Sequence, residues 1–406
     1  MINDIDPIQV VVDTGSSRLR VTVAEKYPEH ALKILGCGWA NDIPCRHGVI
    51  TDITAVGAAL RHAINEAERQ SGVEICNVDV AVSGAHIHSF NHQARVDVAH
   101  REISQDLLID TLVRLRDSVQ EDNYQLLHAL EQSYLVDDCE QIANPQGMIA
   151  DLLEVRLHFI RAQLNSIQNL RRVLDSCNIG VNQFVFSALA SAYAATSAQE
   201  RELGVCVVDI GAGTSDFMVF EQDKAQFSGG LRVGGDDVSS DLAIALSTTR
   251  QAAEELKCRA GALDLSALSH EDLFVPTTAG TARAVDEHVF IEKICKRYDD
   301  IFAQLNHALL QSGMQEFSKG GLVLTGGGAQ IKGLAEYVSQ ASKLPVRAAT
   351  IPNIEGLPED LQSDAGMMTT LGMFHLIYAP IADHIWVKYA NSGIMRRLKR
   401  LILKYI

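Results

Sequence analysis

Two stretches of the sequence carry the same set of residues that could bind phosphate. VVVDTGSSRLRVTVAE (residues 10–25) and VCVVDIGAGTSDFMVFE (205–221) each place an aspartate, one further residue, a glycine and then small hydroxyl residues after an apolar run. Glycine allows backbone N–H groups to approach an anion closely, and serine and threonine hydroxyls add donors to the same concave site. The donors predicted from residue type are Gly15, Ser16, Ser17, Gly211, Gly213, Thr214 and Ser215.

The aspartates of these stretches, Asp13 and Asp209, predict a second component of the site. A carboxylate repels phosphate but can hold Mg²⁺, directly or through the waters of the ion, and Mg²⁺ takes few protein carboxylates together with substrate phosphates. For one stretch alone an ordinary hairpin is the better explanation, because Asp-x-Gly turns are common. Two matched copies instead favour a shared site for phosphates and Mg²⁺.

Each stretch is predicted to form a β-hairpin that positions its glycine-rich turn. Apolar residues alternate after each turn, at Leu19, Val21 and Val23 and again at Phe217 and Val219, which indicates a returning strand. The two copies lie about half the chain apart. The pattern therefore predicts an α/β protein with two related lobes, each presenting one hairpin.

A third glycine-rich stretch, GLVLTGGGAQIKGLAEYVS (321–339), predicts a strand at Leu322–Leu324, a turn at Gly326–Gly328 and a helix from Gln330 onward. It is not a dinucleotide fingerprint, because the sixth position is Ile331, and the absence of a Gly-Lys dipeptide excludes a Walker P-loop. We expect this turn to offer flat backbone to a nucleoside.

The segment AEELK (253–257) places Glu254 and Lys257 on one helix face. The two residues could form an ordinary surface pair, or could reach a ribose and base from one side.

Composition limits the class of protein. The 406 residues can hold two domains or one core divided into about four subdomains. The formal charge of -16 argues against nucleic acid as the main partner. The N-terminus lacks the features of a signal peptide, and no stretch has the roughly 18 consecutive apolar residues of a membrane-spanning helix. Eight cysteines without a CxxC pair indicate reduced thiols and a cytoplasmic protein.

The end of the chain has the opposite character. In NSGIMRRLKRLILKYI (391–406), apolar residues recur at helical spacing and five basic residues occupy most of the other face. About 13 helical residues span ~20 Å, too short to cross a ~30 Å hydrocarbon core. A core or dimer helix is the alternative, but five cations and no acid favour a helix lying on an anionic membrane surface. The predicted membrane contacts are Ile394, Met395, Arg396, Arg397, Leu398, Lys399, Arg400, Leu401, Ile402, Lys404 and Tyr405.

Two further segments give weaker signals. The histidines of GAHIHSFNHQARVDVAH (84–100) could bind metal, but no Cys, Asp or Glu lies among the first three, so an exposed strand edge is favoured. ISQDLLIDTLVRLRDSV (103–119) has the period of an amphipathic helix. Its leucines predicted to face inward are Leu107, Leu108, Leu112 and Leu115.

In this order, the two phosphate turns, the A-E-x-x-K segment and the third glycine-rich turn resemble the actin/DnaK/sugar-kinase ATPase superfamily. The segments DIGAGTSDF, GGLRVGGDDVSSDLA, VLTGGGAQIKGL and NPQGM more closely resemble the FtsA family of bacterial cell-division proteins. That resemblance covers nearly the whole chain. It implies an actin-like, two-lobed ATPase fold with a duplicated core, a subdomain 1C in place of 1B, and a C-terminal amphipathic helix.

The resemblance also implies subdomain boundaries. They are residues 1–83 (subdomain 1A, first part), 84–161 (1C), 162–191 (1A, second part), 192–228 (2A, first part), 229–305 (2B), 306–365 (2A, second part), 366–378 (closing helix of 1A), 379–391 (linker) and 392–406 (membrane-targeting helix).

Carried over residue by residue, the family pattern implies an ATP and Mg²⁺ site. Asp13 and Asp209 would hold the ion. The implied nucleotide contacts are Ser16 and Ser17 in the first turn, Gly211, Ala212, Gly213 and Thr214 in the second, Gly234, Gly235 and Asp236 near ribose and phosphates, and Glu254, Lys257, Gly327, Gly328 and Ala329 around adenosine.

The family resemblance further implies partners and a location. Arg283 and Arg297 fall where the family places basic contacts to the C-terminal peptide of FtsZ. Further implied partners are other copies of the chain in a filament, an anionic membrane surface and later divisome proteins. The implied location is the cytoplasmic face of the cell membrane at the division septum.

The segment VFSALASAYAATSA (185–198) offers no acid to position an attacking water, so we name no catalytic base. We expect slow hydrolysis at most, with nucleotide acting as a switch. One alternative is a PilM-like pilus-assembly platform protein, which is not expected to end in a basic amphipathic helix. Another is a small-molecule kinase, which would need a catalytic carboxylate beyond Asp13 and Asp209. A DnaK-type chaperone would need a substrate domain after residue 390.

Overall fold

The computed structural model describes residues 7–26, 32–137, 139–263, 273–276, 281–314 and 320–378. The strands in chain order are β1 (Ile8–Thr14), β2 (Arg18–Lys26), β3 (Leu32–Asn41), β4 (Cys45–Arg46), β5 (Val49–Ile50), β6 (Asn77–Val82), β7 (Ile87–Glu102), β8 (Tyr124–Val136), β9 (Cys139–Ile142), β10 (Ile149–Gln163), β11 (Gly180–Phe186), β12 (Val205–Ile210), β13 (Ser215–Glu221), β14 (Lys224–Leu231), β15 (Phe274–Pro276), β16 (Ala282–Ala284), β17 (Leu322–Thr325) and β18 (Val346–Ala348).

The α-helices are α1 (Ile53–Ser71), α2 (Gln105–Ser118), α3 (Leu164–Ser176), α4 (Ser187–Ala195), α5 (Ala198–Leu203), α6 (Gly235–Ala245), α7 (Arg250–Ala260), α8 (Glu287–Gln311), α9 (Leu334–Ser342) and α10 (Met367–Tyr378). Short 3₁₀ helices cover Gly327–Gln330 and Glu359–Leu361.

Two five-stranded sheets share one strand order. The first lobe is built on β3-β2-β1-β6-β11 and the second lobe on β14-β13-β12-β17-β18. In each sheet the first three strands in sequence pair antiparallel, and the remaining two join in parallel. The predicted α/β class with a duplicated core is confirmed.

Both predicted hairpins are present and share one register. In the first, Asp13 lies opposite Arg20, and Thr14 lies opposite Leu19. In the second, Asp209 lies opposite Asp216. The two sequence copies therefore place equivalent aspartates at equivalent points of two sheets.

A third sheet lies between the two parts of the first lobe in the chain. This inserted domain consists of the sheet β7-β10-β8-β9 with α2. β7 is an edge strand on which His88, His92 and His100 are exposed, as predicted, whereas His86 is buried just before it. α2 buries three of the four predicted leucines, and Leu107 is half-buried.

Helices cover both faces of the first-lobe sheet. α1 begins at the cap Asp52, whose side chain accepts a hydrogen bond from the Ala55 backbone N–H, and ends at Gly72. α1 and α3 join one apolar core and α10 joins the core on the opposite face. α6, α7 and α8 enclose the core of the second lobe.

One local prediction is wrong. Gly327–Gln330 form a 3₁₀ helix rather than a turn leading into a helix at Gln330, and α9 begins only at Leu334. The backbone is extended at Ile331 and left-handed at Gly333, with φ +80°, which separates the two helical segments.

The predicted linker, 379–391, and the predicted membrane helix, 392–406, lie outside the described residues. No helix in the described part of the chain combines the length and the apolar character needed to cross a bilayer.

Candidate nucleotide site

The two glycine-rich turns meet although they belong to different lobes. A Cβ atom at Gly213 would lie 2.7 Å from Ser16 Oγ and 2.9 Å from the His47 backbone nitrogen. Only glycine fits this approach without displacing the opposite lobe. The structure thus places Ser16 of the first turn against Gly213 of the second. Ser17 follows Ser16 in the first turn, and Gly211, Ala212 and Thr214 flank Gly213 in the second.

The predicted Gly-Gly-Asp turn is hydrogen-bonded to the second phosphate turn. The backbone N–H of Gly235 donates to the Gly211 carbonyl (2.9 Å), and that of Asp236 donates to the Ala212 carbonyl (2.8 Å). A Cβ atom at Gly234 would lie 2.5 Å from the Ala212 oxygen. α6 begins at Gly235, so the positive end of its dipole adjoins the second turn.

Glu254 and Lys257 lie beside this turn, but they contact protein groups. Lys257 Nζ donates to the Gly235 carbonyl (2.9 Å), to Ser239 Oγ (2.9 Å) and to Glu254 Oε2 (2.7 Å). Burial alone would raise the pKa of Glu254, but Lys257 and the hydrogen bonds from Ser239 and Cys258 outweigh it and lower that pKa. Through these hydrogen bonds, Glu254 and Lys257 link α7 to α6 at the edge of the site.

The third glycine-rich segment completes the wall on the second lobe. A Cβ atom at Gly328 would lie 2.7 Å from Ile210 Cγ2 and 3.3 Å from the Gly211 carbonyl oxygen. The buried hydroxyl of Tyr298, on α8, donates to the Gly328 carbonyl (2.5 Å). Its neighbours in the predicted adenosine turn are Gly327 and the buried Ala329.

Asp13 is buried in a network of charges at the first turn. Arg20 Nη1 lies 3.5 Å from Asp13 Oδ2, and Arg20 Nη2 lies 2.6 Å from Asp364 Oδ2. Arg18 also pairs with Asp364, at 3.0 Å. Burial raises the pKa of Asp13 to about 6; Arg20 opposes this rise, and the charges of Asp209 and Asp364 add to it.

Asp209 has no cationic cross-strand partner. Its carboxylate accepts hydrogen bonds from Ser191 Oγ (2.5 Å) and Thr369 Oγ1 (3.2 Å), while burial raises its pKa. Asp216, opposite it, accepts from the backbone N–H of Gly84 (3.2 Å), at the start of the inserted segment 84–161. Burial, followed by the charge of Asp209, raises the pKa of Asp216 to about 8.

These acids suit a cation held mainly through water and phosphate. The charge of Asp209 raises the pKa of Asp13, so a divalent cation between them would relieve this repulsion. No group of three or more metal-ligating side chains occurs in the described part of the chain.

Sequence reasoning missed several residues of the site. Arg20 could have been found, because a hairpin with this turn places it opposite Asp13. Ser239, Tyr298 and His47 carried no sequence signal, since each reaches the site from a separate element. His47, for example, contacts the Gly213 carbonyl from 166 positions away.

The two predicted partner-binding arginines lie apart from the turns. Arg283 is exposed on β16, opposite Val275 in the hairpin β15–β16. Arg297, on α8, forms ion pairs with Asp241 (2.7 Å) and Asp300 (3.0 Å). Among the described residues no ion pair of Arg283 is found, so of these two arginines Arg297 is the one with ion pairs to displace.

Comparison with known proteins identifies relatives over most of the chain. A family model described as cell division protein FtsA matches residues 206–372, and one described as the SHS2 domain inserted in FtsA matches residues 84–161. The chain is 31% identical to cell division protein FtsA of Escherichia coli K12 over 376 residues, which cover 90% of this chain and 89% of that protein. It is 30% identical to the protein of the same name from Neisseria meningitidis serogroup B, over 97% of each chain.

Solved structures show the same fold at lower sequence identity. A PilM–PilN type IV pilus biogenesis complex chain matches with a TM-score of 0.65 and 16% identity, covering 92% of this chain and 99% of that one. MreB5 of Spiroplasma citri bound to ADP matches with a TM-score of 0.55 and 15% identity, covering 91% and 96%. The fold is that of the actin-like ATPases.

Proposed function

The chain belongs to the FtsA family of cell-division proteins, and we propose that it binds ATP between its lobes, forms polymers at the inner face of the cytoplasmic membrane and tethers the FtsZ ring there. In this role it also recruits later divisome proteins. The observation that carries the nucleotide part is the meeting of Ser16 and Gly213, contributed by equivalent hairpins of two lobes.

Each wall of the site has a separate task in this proposal. Ser16 and Ser17 donate hydroxyl hydrogen bonds to phosphate oxygens, and the N-terminus of α6 faces the same charge. Thr214 joins them by exchanging the hydrogen bond that its hydroxyl donates to Asp216 Oδ2 (3.3 Å). Gly327–Ala329 provide backbone for adenosine to rest on. Mg²⁺ would neutralise phosphate charge beside Asp13 and Asp209.

Lys257 takes a structural part in this site. All three of its N–H donors already bind protein acceptors, so a ribose contact requires one of these hydrogen bonds to be exchanged. Glu254 and Lys257 thereby keep the Gly-Gly-Asp turn in position for the nucleotide.

Nucleotide acts as a conformational switch. Because the two turns belong to different lobes, a ligand that contacts both stabilises the closed arrangement by its binding free energy. A closed subunit presents fixed surfaces to the next subunit, which favours polymerisation.

The C-terminal segment supplies the membrane contact. Each basic residue near an anionic leaflet contributes about 1 kcal/mol, so one tail binds weakly. Many tails on one polymer bind far more strongly, because each later contact is intramolecular. This coupling makes membrane attachment depend on assembly.

FtsZ binding is assigned to the surface around Arg283. Phe274 is 52% exposed on the neighbouring strand of the same short hairpin. The exposed guanidinium of Arg283 suits a peptide with acidic residues, and Phe274, on the opposite face of the hairpin, offers a separate apolar contact. Arg297 would contribute only by leaving its ion pairs with Asp241 and Asp300.

Isothermal titration of ATP with Mg²⁺ tests the nucleotide site. We expect one ATP per chain, and Thr214→Val, which keeps the side-chain shape and removes the hydroxyl, should weaken binding roughly fivefold. Thr54→Val, at an exposed position of α1, is the matched control. Equal affinity of wild type and Thr214→Val would remove Thr214 from the site.

Vesicle pelleting tests the membrane proposal. The full chain should pellet with phosphatidylglycerol vesicles in the presence of ATP, whereas a chain ending at residue 391 should remain in the supernatant. Equal pelleting of the two forms would contradict the tether.

Binding of an FtsZ C-terminal peptide tests the partner surface. Arg283→Glu should weaken binding, and Arg172→Glu, at an exposed position of α3 in the first lobe, should not.

The pilus-assembly alternative rests on structural likeness at 16% identity, which carries the fold alone.

A further inference from the structure

The short hairpin β4–β5 lies against both phosphate turns. At its tip, His47 Nδ1 lies 2.8 Å from the carbonyl oxygen of Gly213 in the second lobe. The next residue, Gly48, directs its backbone N–H to Ser16 Oγ in the first turn, at 3.4 Å. This hairpin is therefore a third element at the junction, and nothing in its sequence suggested such a role.

The contact fixes the tautomer of the imidazole. A carbonyl oxygen can only accept, so Nδ1 carries the proton and donates. His47 holds a left-handed backbone conformation, with φ +50°, which is uncommon for a residue with a side chain. The fold thus keeps a less favourable backbone conformation at the residue that contacts the opposite lobe.

The contact also determines the orientation of a predicted phosphate donor. The carbonyl of Gly213 and the N–H of Thr214 belong to one planar peptide unit. A hydrogen bond that holds the carbonyl therefore holds the direction of the Thr214 N–H as well. Because the donating side chain belongs to the first lobe, this orientation depends on lobe closure.

We propose that His47 is a positioning residue for the terminal phosphate, aligning the Gly213–Thr214 peptide only when the lobes are closed. The inference rests on the proposed nucleotide-binding function. The adenosine wall at Gly327–Ala329 lies within the second lobe, whereas His47 lies where the two lobes meet. Loss of the contact should therefore affect ATP more than ADP.

Two substitutions separate the donor from the backbone conformation. His47→Asn keeps an N–H donor near the position of Nδ1, and asparagine accepts a left-handed conformation well. His47→Gly suits the backbone and removes the donor. Asp42→Gly is the matched control, since Asp42 is exposed, has φ +53° and lies just upstream.

Nucleotide titration of the full-length protein tests the assignment. His47→Gly should bind ATP roughly fivefold more weakly, equal to about 1 kcal/mol at 1.4 kcal/mol per factor of ten, with a smaller change for ADP. His47→Asn and Asp42→Gly should match wild type within about twofold. Equal weakening by both His47 variants, or no change in the ATP-to-ADP affinity ratio, would overturn the proposal.

Hydrogen exchange without nucleotide tests the contact by itself. The amides of residues 211–216 should exchange faster in His47→Gly than in wild type, and His47→Asn should restore the wild-type rate. A wild type that binds no ATP but shows this exchange pattern would refute the proposed function and leave the contact supported. Unchanged exchange in His47→Gly would refute the contact.

Discussion

At the scale of single residues, the two hairpins differ in one cross-strand partner. Asp13 faces Arg20, whereas Asp209 faces Asp216. The first aspartate is thus partly neutralised within its own hairpin, and the second is opposed by another acid. The two hairpins share a backbone register but differ in charge. A bound cation would therefore mainly compensate the paired acids of the second lobe.

This difference predicts a pH-dependent stability. An aspartate in an unfolded chain has a pKa near 3.9, and burial raises that of Asp216 to about 8. Between these values only the folded state holds the proton, so the contribution of Asp216 to stability is present at low pH and is lost as pH rises through 8. The side chain of asparagine does not titrate, so the stability of Asp216→Asn should not show this decrease as the pH rises.

Urea unfolding of wild type and Asp216→Asn at pH 6 and pH 8.5 measures the effect. The free energy of unfolding of the variant, relative to wild type, should rise by on the order of 2 kcal/mol between the two pH values. The control is Asp106→Asn, at an exposed position of α2, which measures the effect of removing one exposed carboxylate on the free energy of unfolding. An Asp216 difference as flat as that of the control would contradict the account.

Local sequence patterns predicted the residues of the turns well and their long-range partners poorly. The predicted donors Ser16 and Thr214 follow from spacing within one hairpin. Tyr298 and His47 do not, because their contacts join elements that only the complete fold brings together. The roles assigned to the nucleotide-binding and partner-binding residues stay predictions, which measurements of ligand binding test.

At the scale of elements, strands and hairpins followed from alternation of apolar residues, and the inserted helix from its 3.6-residue period. The segment after β17 did not, because Gly333 separates a 3₁₀ helix from α9. Helix packing was also beyond sequence patterns. At the crossing of α4 and α10, a Cβ atom at Gly372 would lie 1.9 Å from the Ala190 carbonyl oxygen.

That crossing predicts a cost for Gly372→Ala. The methyl group would push α10 away from α4, which should lower the free energy of unfolding by about 1 to 3 kcal/mol. Gly57→Ala, in α1, is the control, because its methyl group would meet only the rotatable hydroxyl of Ser176. Equal stability of the two variants in urea unfolding would show that the helices separate without cost.

At the scale of the whole molecule, the inserted domain is fastened to the second lobe as well as to the first. Ser89 Oγ donates to the Ser228 carbonyl (2.5 Å), and the fully buried ring of His158 contacts Ser228 Oγ at 2.9 Å. Toward the first lobe, His128 Nε2 accepts from the Phe186 backbone N–H (2.9 Å). Lobe opening must therefore disturb the docking of the inserted domain.

His158→Ala tests this docking. The substitution leaves the buried hydroxyl of Ser228 and the side-chain oxygen of the exposed Asn91 without their His158 partner, which should lower the free energy of unfolding by about 1 to 3 kcal/mol. Hydrogen exchange in β14 should increase in parallel. His92→Ala, exposed on β7, should change neither quantity. Unaltered exchange in β14 would mean that the inserted domain does not hold the second lobe.

The central claim is that turns from two lobes enclose one nucleotide, and a crystal structure with a non-hydrolysable ATP analogue and Mg²⁺ tests it most directly. The account predicts a triphosphate between residues 13–17 and 209–216, with the ion beside Asp13 and Asp209. A nucleotide that contacts only one of these turns, or binds elsewhere, would contradict it.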